Sequence, residues 1–295
     1  MDTEASTMAH HQFLVETDWL AANLDGVQVL DCTITMTKQP DGGWKAASGR
    51  AAFDEGHIPG AQFVDLMTEL KDADSPYNYM LPSTEEFAAR MAELGIGNDT
   101  QVVVYVSAVP WWATRLWWML RVFGHEKVAV LNGGLGKWKA EGRALSSETA
   151  SYSRSEYQAA YQPELVADKG EVKEAVDNGG ACVLNALSMQ LFTGESDLGY
   201  ERPGRIAASE LLPALNHVDQ ETGVYRTDSE LEAAAKPLGR AKDDRIISYC
   251  GGGIAATLNA FVLMKLGYKN VSVYDGSLDE WSADPAMPME VGEPI

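Results

Sequence analysis

Cysteine is scarce in this chain: its 295 residues include three, Cys32, Cys182 and Cys250, an odd number with no CxxC pair. Such usage excludes a disulfide framework, a thioredoxin-like dithiol and a cysteine-built zinc site, and it implies a reducing compartment. Histidine numbers only five. Nothing in the sequence sets one beside a cysteine, which argues against a Cys–His hydrolase. No apolar run approaches the ~20 residues of a membrane span. The N-terminus opens MDTEASTMAHHQF, acidic and without a basic segment leading into an apolar one, so no secretory signal is read there and the expected compartment is the cytoplasm. The GK[ST] of a Walker loop is missing. Positive charge is short as well: 23 Lys and Arg stand against 43 Asp and Glu, a net charge of −20. A surface that acidic repels phosphate backbones and anionic lipid, so neither nucleic acid nor a membrane is an expected partner. No metal and no cofactor are expected.

Apolar residues are plentiful. They make up 45% of the chain, with 9% aromatic, enough for full cores in two domains of ordinary size. The chain also repeats itself. The segment Val102–Trp138, VVVYVSAVPWWATRLWWMLRVFGHEKVAVLNGGLGKW, recurs without gaps as Arg245–Trp281, RIISYCGGGIAATLNAFVLMKLGYKNVSVYDGSLDEW, displaced by 143 positions. The register pairs Thr114 with Thr257, Gly124 with Gly267, Gly133 with Gly276 and Trp138 with Trp281. Earlier segments pair at larger displacements: VLD at Val29–Asp31 with VLN at Val183–Asn185, and EGHIPGA at Glu55–Ala61 with PGRIAAS around Gly204. Displacements that fall along the chain mean shorter connections in the second copy. A period this long is a duplicated domain, not a solenoid.

Each copy reads strand, turn, helix, strand. Val102–Val106 and Ile246–Tyr249 are β-rich runs of buried-strand length. Apolar helices are expected over Trp112–Val122 and Ala255–Leu266, each stopped by a glycine, Gly124 or Gly267. Strands Lys127–Leu131 and Asn270–Tyr274 follow directly. Short connections between alternating strands and helices give an α/β protein of two tandem domains, each a mainly parallel sheet covered by helices on both faces. The boundaries are set at 1–145 and 164–295, with a polar, Ser-rich linker over 146–163. The C-terminal MPMEVGEPI reads as a tail.

The chemistry gathers at Cys250–Gly251–Gly252–Gly253–Ile254–Ala255, where a strand ends and a helix begins. Ligands of open parallel sheets bind at the carboxyl ends of strands. The glycines permit positive φ, so that backbone N–H groups can converge, and the helix N-terminus adds its own. A cysteine there is expected as a thiolate, with the same amides holding an anionic outer sulfur. A lone cysteine is more often a small core residue; Cys32 and Cys182, in strand contexts, are assigned to the core, whereas Cys250 falls on the turn. A cysteine phosphatase needs an arginine at the far end of such a loop, and Ala255, Ala256 and Thr257 provide none.

These residues resemble the tandem-domain rhodaneses, the thiosulfate and 3-mercaptopyruvate sulfurtransferases. EGHIPGA, RLWWMLRVFGH and VAVLNGGLGKW are similar to that family's inactive domain, and YCGGGIAAT with VYDGSLDEW to its catalytic one. The resemblance implies ping-pong sulfur transfer. Cys250 would take a sulfane sulfur from a small anionic donor, 3-mercaptopyruvate or thiosulfate, and pass it as a persulfide to a thiol or cyanide. A protein acceptor stays open, as does the alternative of a sulfur-carrier module loaded by a protein partner. In the first copy Ser107 stands at the cysteine position and Pro110 interrupts the loop, so that domain is expected to contribute a wall of the cleft. The loop lacks the basic residues of thiosulfate-preferring enzymes and, at Gly252, the hydroxyl of the mercaptopyruvate loop CG[ST]G. Leu187 replaces the arginine of DAR. His57 matches the family's histidine. Arg202 and Arg205 are the candidate anion contacts, with surface or interdomain ion pairing as their competing role. Asp275, Trp281 and the pairs Trp111–Trp112 and Trp117–Trp118 are read as shaping the fold.

Overall fold

The computed structural model describes residues 13–38, 44–107 and 109–293. The first twelve residues, on which most of the reading against a leader rests, lie outside it. The strands are β1 Leu14–Val15, β2 Gln28–Asp31, β3 Ile34–Lys38, β4 Trp44–Ser48, β5 Ala61–Phe63, β6 Val102–Tyr105 and β7 Val128–Leu131, then β8 Val166–Ala167, β9 Cys182–Asn185, β10 Arg205–Ile206, β11 Glu210–Leu211, β12 Ile246–Tyr249, β13 Val271–Tyr274 and β14 Met289–Glu290. They form two five-stranded sheets, β1-β7-β6-β2-β5 and β8-β13-β12-β9-β11, in which every pairing is parallel. The two strand orders are the same once the copies are aligned. The hairpin β3–β4 has no counterpart among the described residues of the second half, and it lies where the displacement between the copies falls from 154 to 148.

Alternation along the strands explains the layers. Val103 and Tyr105 of β6 face one apolar cluster with Phe53, Leu131 and Trp138, while Val102 and Val104 face another. That other cluster continues into the second half, where it takes in Ile246, Val271 and Val273, so the inner faces of the two sheets share one core. Ile247, Tyr249 and Trp281 belong to a third cluster on the outer face of the second sheet. The helices Trp111–Val122 and Ala255–Lys265 lie between the sheets and are apolar nearly all round, as helices enclosed on every side must be. Each ends where Gly124 or Gly267 takes φ near +85° (83° and 86°), the left-handed turn that a side chain resists.

The halves meet about an approximate twofold axis. Thr114 and Thr257, equivalent in the repeat, touch each other through their hydroxyls at 3.0 Å. Trp117 sits edge-on to Phe261 nearby, with ring centroids 5.0 Å apart. The docking is reciprocal. The first half's Leu81 N–H donates to Asp275 of the second (2.8 Å), and the second half's Tyr225 N–H donates to Asn132 of the first (2.9 Å). Asn132 and Asp275 are again equivalent positions.

One expectation, that of a C-terminal tail, needs correction, and the Ser-rich connection is bonded along the first half. Ser146 exchanges backbone hydrogen bonds with His57, and farther along Ser155, Gln158 and Ala160 bond to Ala92, Asn98 and Phe123, strapping the segment to the first half. The C-terminal segment is not a tail, because β14 pairs with β10 and the Gly292 N–H donates to the Thr193 carbonyl. Among the described residues, no helix is long and apolar enough to cross a membrane.

Candidate active site

Cys250 follows the carboxyl end of β12, the middle strand of its sheet, and is only 2% exposed. Its loop is held from below by the next strand–helix turn. The Leu278 N–H donates to the Cys250 carbonyl (3.1 Å) and the Asp279 N–H to the Gly251 carbonyl (2.9 Å). The Ser277 hydroxyl accepts from the N–H of both Cys250 and Gly253 (3.1 Å each) and donates to the Tyr274 carbonyl (2.8 Å). Ser277 does this from a left-handed backbone, φ 47°, which a non-glycine residue occupies at a cost of ~1–3 kcal/mol. In the first half the same position is Gly134, φ 52°. The sequence signal was therefore present, DGS against NGG, and was not used.

The glycines of the loop divide by role. Only Gly253 has positive φ, 73°, and a Cβ there would meet the Asp275 carbonyl oxygen at 2.6 Å. At Gly251 a Cβ would come within 2.5 Å of the Tyr200 hydroxyl, the end of a side chain that would have to move aside. Gly252 has room: the nearest atom, on the Tyr79 ring, is 3.6 Å from a Cβ. With Gly253 N–H spent on Ser277, the N–H groups of Gly251, Gly252, Ile254 and Ala255 find no acceptor among the described residues. These four N–H groups and the start of the helix at Ala255 are donors free to hold an anion.

Arg115, which the sequence reading passed over, closes the far side. It is fully buried and reaches from the first half to the Asp275 carboxylate (2.5 Å), the Gly253 carbonyl (3.1 Å) and the Tyr79 carbonyl. Asn78 donates its backbone and side-chain N–H to Asp279 (2.8 and 3.0 Å). Residues 78–81 of the first half thus form a wall of the cysteine loop, and Asp275 is a structural anchor of it. Tyr200 forms a second wall. Burial, with Cys250 and Asp279 nearby, pushes its hydroxyl's ionisation well up, and burial does the same more mildly to Tyr79.

The structure does not bring the other proposed contacts to the loop as free groups. Arg202 lines a small pocket with Leu187, Tyr200 and Leu278, but its guanidinium donates to four carbonyls, those of Trp281, Ser282, Asp284 and Met287. Arg205 is buried, stacked on Phe192, donating to the Phe192 and Gly292 carbonyls and paired with Glu290 at 3.0 Å. His57 is buried against Phe53, its ring nitrogens bonded to the Phe53 and Glu148 carbonyls (2.8 and 3.1 Å), and so fastens the interdomain strap. In the first half, the Ser107 N–H and hydroxyl turn back to the Thr33 hydroxyl (2.9 and 3.3 Å).

The rhodanese-like domain model matches this chain twice, over residues 16–141 and 184–284. The chain belongs to the rhodanese family. It is a tandem-domain member and a sulfurtransferase. It is 35% identical to the 3-mercaptopyruvate sulfurtransferase of Escherichia coli K12 over 94% of this chain and 98% of that one. It is 32% identical to the thiosulfate sulfurtransferase of Cricetulus griseus, covering 92% of each. The crystal structure of SseA from Escherichia coli superposes with a TM-score of 0.80 at 34% identity, over 90% of this chain and 98% of that one. A sulfur carrier protein of Thermus thermophilus, TtuD, is 34% identical over 97% of this rhodanese and 99% of its own length.

Proposed function

We propose that this rhodanese carries sulfur on Cys250. The thiolate attacks the outer sulfur of a donor, forming an S–S bond, while the bond from that sulfur to the rest of the donor breaks and leaves its electron pair there. Sulfite departs from thiosulfate in this way, and the enolate of pyruvate from 3-mercaptopyruvate, taking a proton from solvent. A thiol or cyanide then attacks the outer sulfur and Cys250 leaves as a thiolate, so the cycle needs no outside oxidant or reductant. The observation that carries the reading is the set of four amides, without acceptors among the described residues, and a helix start gathered round a cysteine at a central strand end. The domains follow as 1–145, silent because Ser107 stands at the cysteine position, and 164–295, joined by 146–163. Three free cysteines accord with the cytoplasm.

Among donors, 3-mercaptopyruvate is favoured over dianionic thiosulfate, because no unpaired cation stands at the loop among the described residues. The carrier reading, with sulfur delivered by a protein partner, is supported by Leu187 where the family has arginine and by the likeness to TtuD. Incubation with 3-mercaptopyruvate should add one sulfur mass to Cys250 in intact-mass and peptide-mapping measurements, and Cys250→Ser should add none. Sulfur found on Cys32 or Cys182 instead would overturn the assignment.

A further inference from the structure

The loop carries no hydroxyl of its own, since glycine stands at 252 where related loops carry serine or threonine. The structure places one there from elsewhere. The Tyr200 hydroxyl lies 2.5 Å from where a Cβ on Gly251 would be and 4.0 Å from one on Gly252, with its ring edge 3.2 Å from the former. It has no hydrogen-bond partner among the described residues, and Tyr200 is half-buried while its neighbours at 195–199 are exposed. The same pocket holds Leu187, and the nearby arginines are committed: Arg202 to four carbonyls and Arg115 to Asp275.

We infer that Tyr200 is a specificity-determining residue that supplies the missing loop hydroxyl, donating a hydrogen bond to the sulfur donor beside its reacting sulfur. This rests on the persulfide reading of Cys250 and names the donor class: thiols with a hydrogen-bond acceptor, such as a keto oxygen, next to the sulfur-bearing carbon, and at most one negative charge. A phenol suits that task. It offers one donor without charge, and burial raises its ionisation so that the proton stays in place. An arginine would instead select for anionic charge.

The test is a rescue. Tyr200→Phe keeps the ring against Gly251 and removes only the hydroxyl. With 3-mercaptopyruvate, kcat/KM should fall about tenfold or more, as expected for a hydrogen bond to a charged or reacting group, and the loss with thiosulfate should be smaller. Gly252 is outside the left-handed region and has ordinary space around its Cβ position, so the double variant Tyr200→Phe/Gly252→Ser should recover most of the lost rate. A change under about twofold in Tyr200→Phe, equal losses on the two donors, or no recovery in the double variant would each overturn the inference. Sulfur mass on wild-type Cys250 is read in parallel; its absence would instead remove the persulfide reading beneath it.

Discussion

Arg115 provides the sharpest test of how the silent half supports the cysteine loop. Its guanidinium and the Asp275 carboxylate are 2% and 5% exposed, and the pair is the link between residue 79, the Gly253 carbonyl and the β13 end. Arg115→Met fills the volume but leaves two carbonyls without their donor and the Asp275 carboxylate with only the Leu81 N–H, all in a buried interface. Breaking a buried pair from one side costs about 3–5 kcal/mol. With an unfolding entropy of roughly 2.1 cal/mol/K per residue, that lowers Tm by about 5–8 °C for a chain of this length. Asp275→Leu should cost a similar amount, and the double variant less than the two together, since it leaves no unpaired charge. Thermal unfolding of the four proteins gives the coupling, and steady-state rates show whether the loop is disordered with it. A cost below about 1 kcal/mol for Arg115→Met, or strict additivity, would refute the reasoning.

Two further outcomes are expected. Gly253→Ala should lose far more sulfurtransferase activity and stability than Gly252→Ala, since only the former forces a Cβ into the Asp275 carbonyl from a positive φ; steady-state kinetics and urea midpoints of both decide it. Acid should weaken the fold through His217, which is buried and bonded to the Asn259 side-chain oxygen at 2.9 Å. Burial lowers its pKa from 6.5 to about 4. Between those values the unfolded chain binds the proton and the folded one does not, so stability is full above pH 6.5 and falls as pH drops toward 4. The loss is on the order of 3 kcal/mol at most. A His217→Gln variant should show a flatter urea midpoint between pH 7 and 4.5, and an unchanged slope would contradict this.

The duplication, the central strands and the two enclosed helices were legible because they depend on local pattern: β-rich runs of four, apolar helices, glycines at the stop. Cys250 was legible for the same reason, lying on the turn itself. What escaped was everything that reaches the loop from distant sequence. Tyr200 sits 50 positions before the cysteine and Arg115 in the other half, and neither carries a local signature. Arg202 and Arg205 looked like anion contacts because a missing arginine seemed to need replacing. The fold uses them instead to staple carbonyls of the C-terminal segment, a role set by tertiary geometry alone. His57 kept the family's residue, and its hydrogen bonds serve the strap.

The contact of Thr114 with Thr257 has a consequence for assembly. A surface that meets a copy of itself across a twofold axis is isologous, the geometry of a closed dimer. Here both partners belong to one polypeptide, so a quaternary contact has become a tertiary one, present at any dilution. Two equal protomers would carry two equal sites. Covalent joining frees them to differ, which is how one side can hold Cys250 while the other, at Ser107, lends Arg115 and residues 78–81 to its twin.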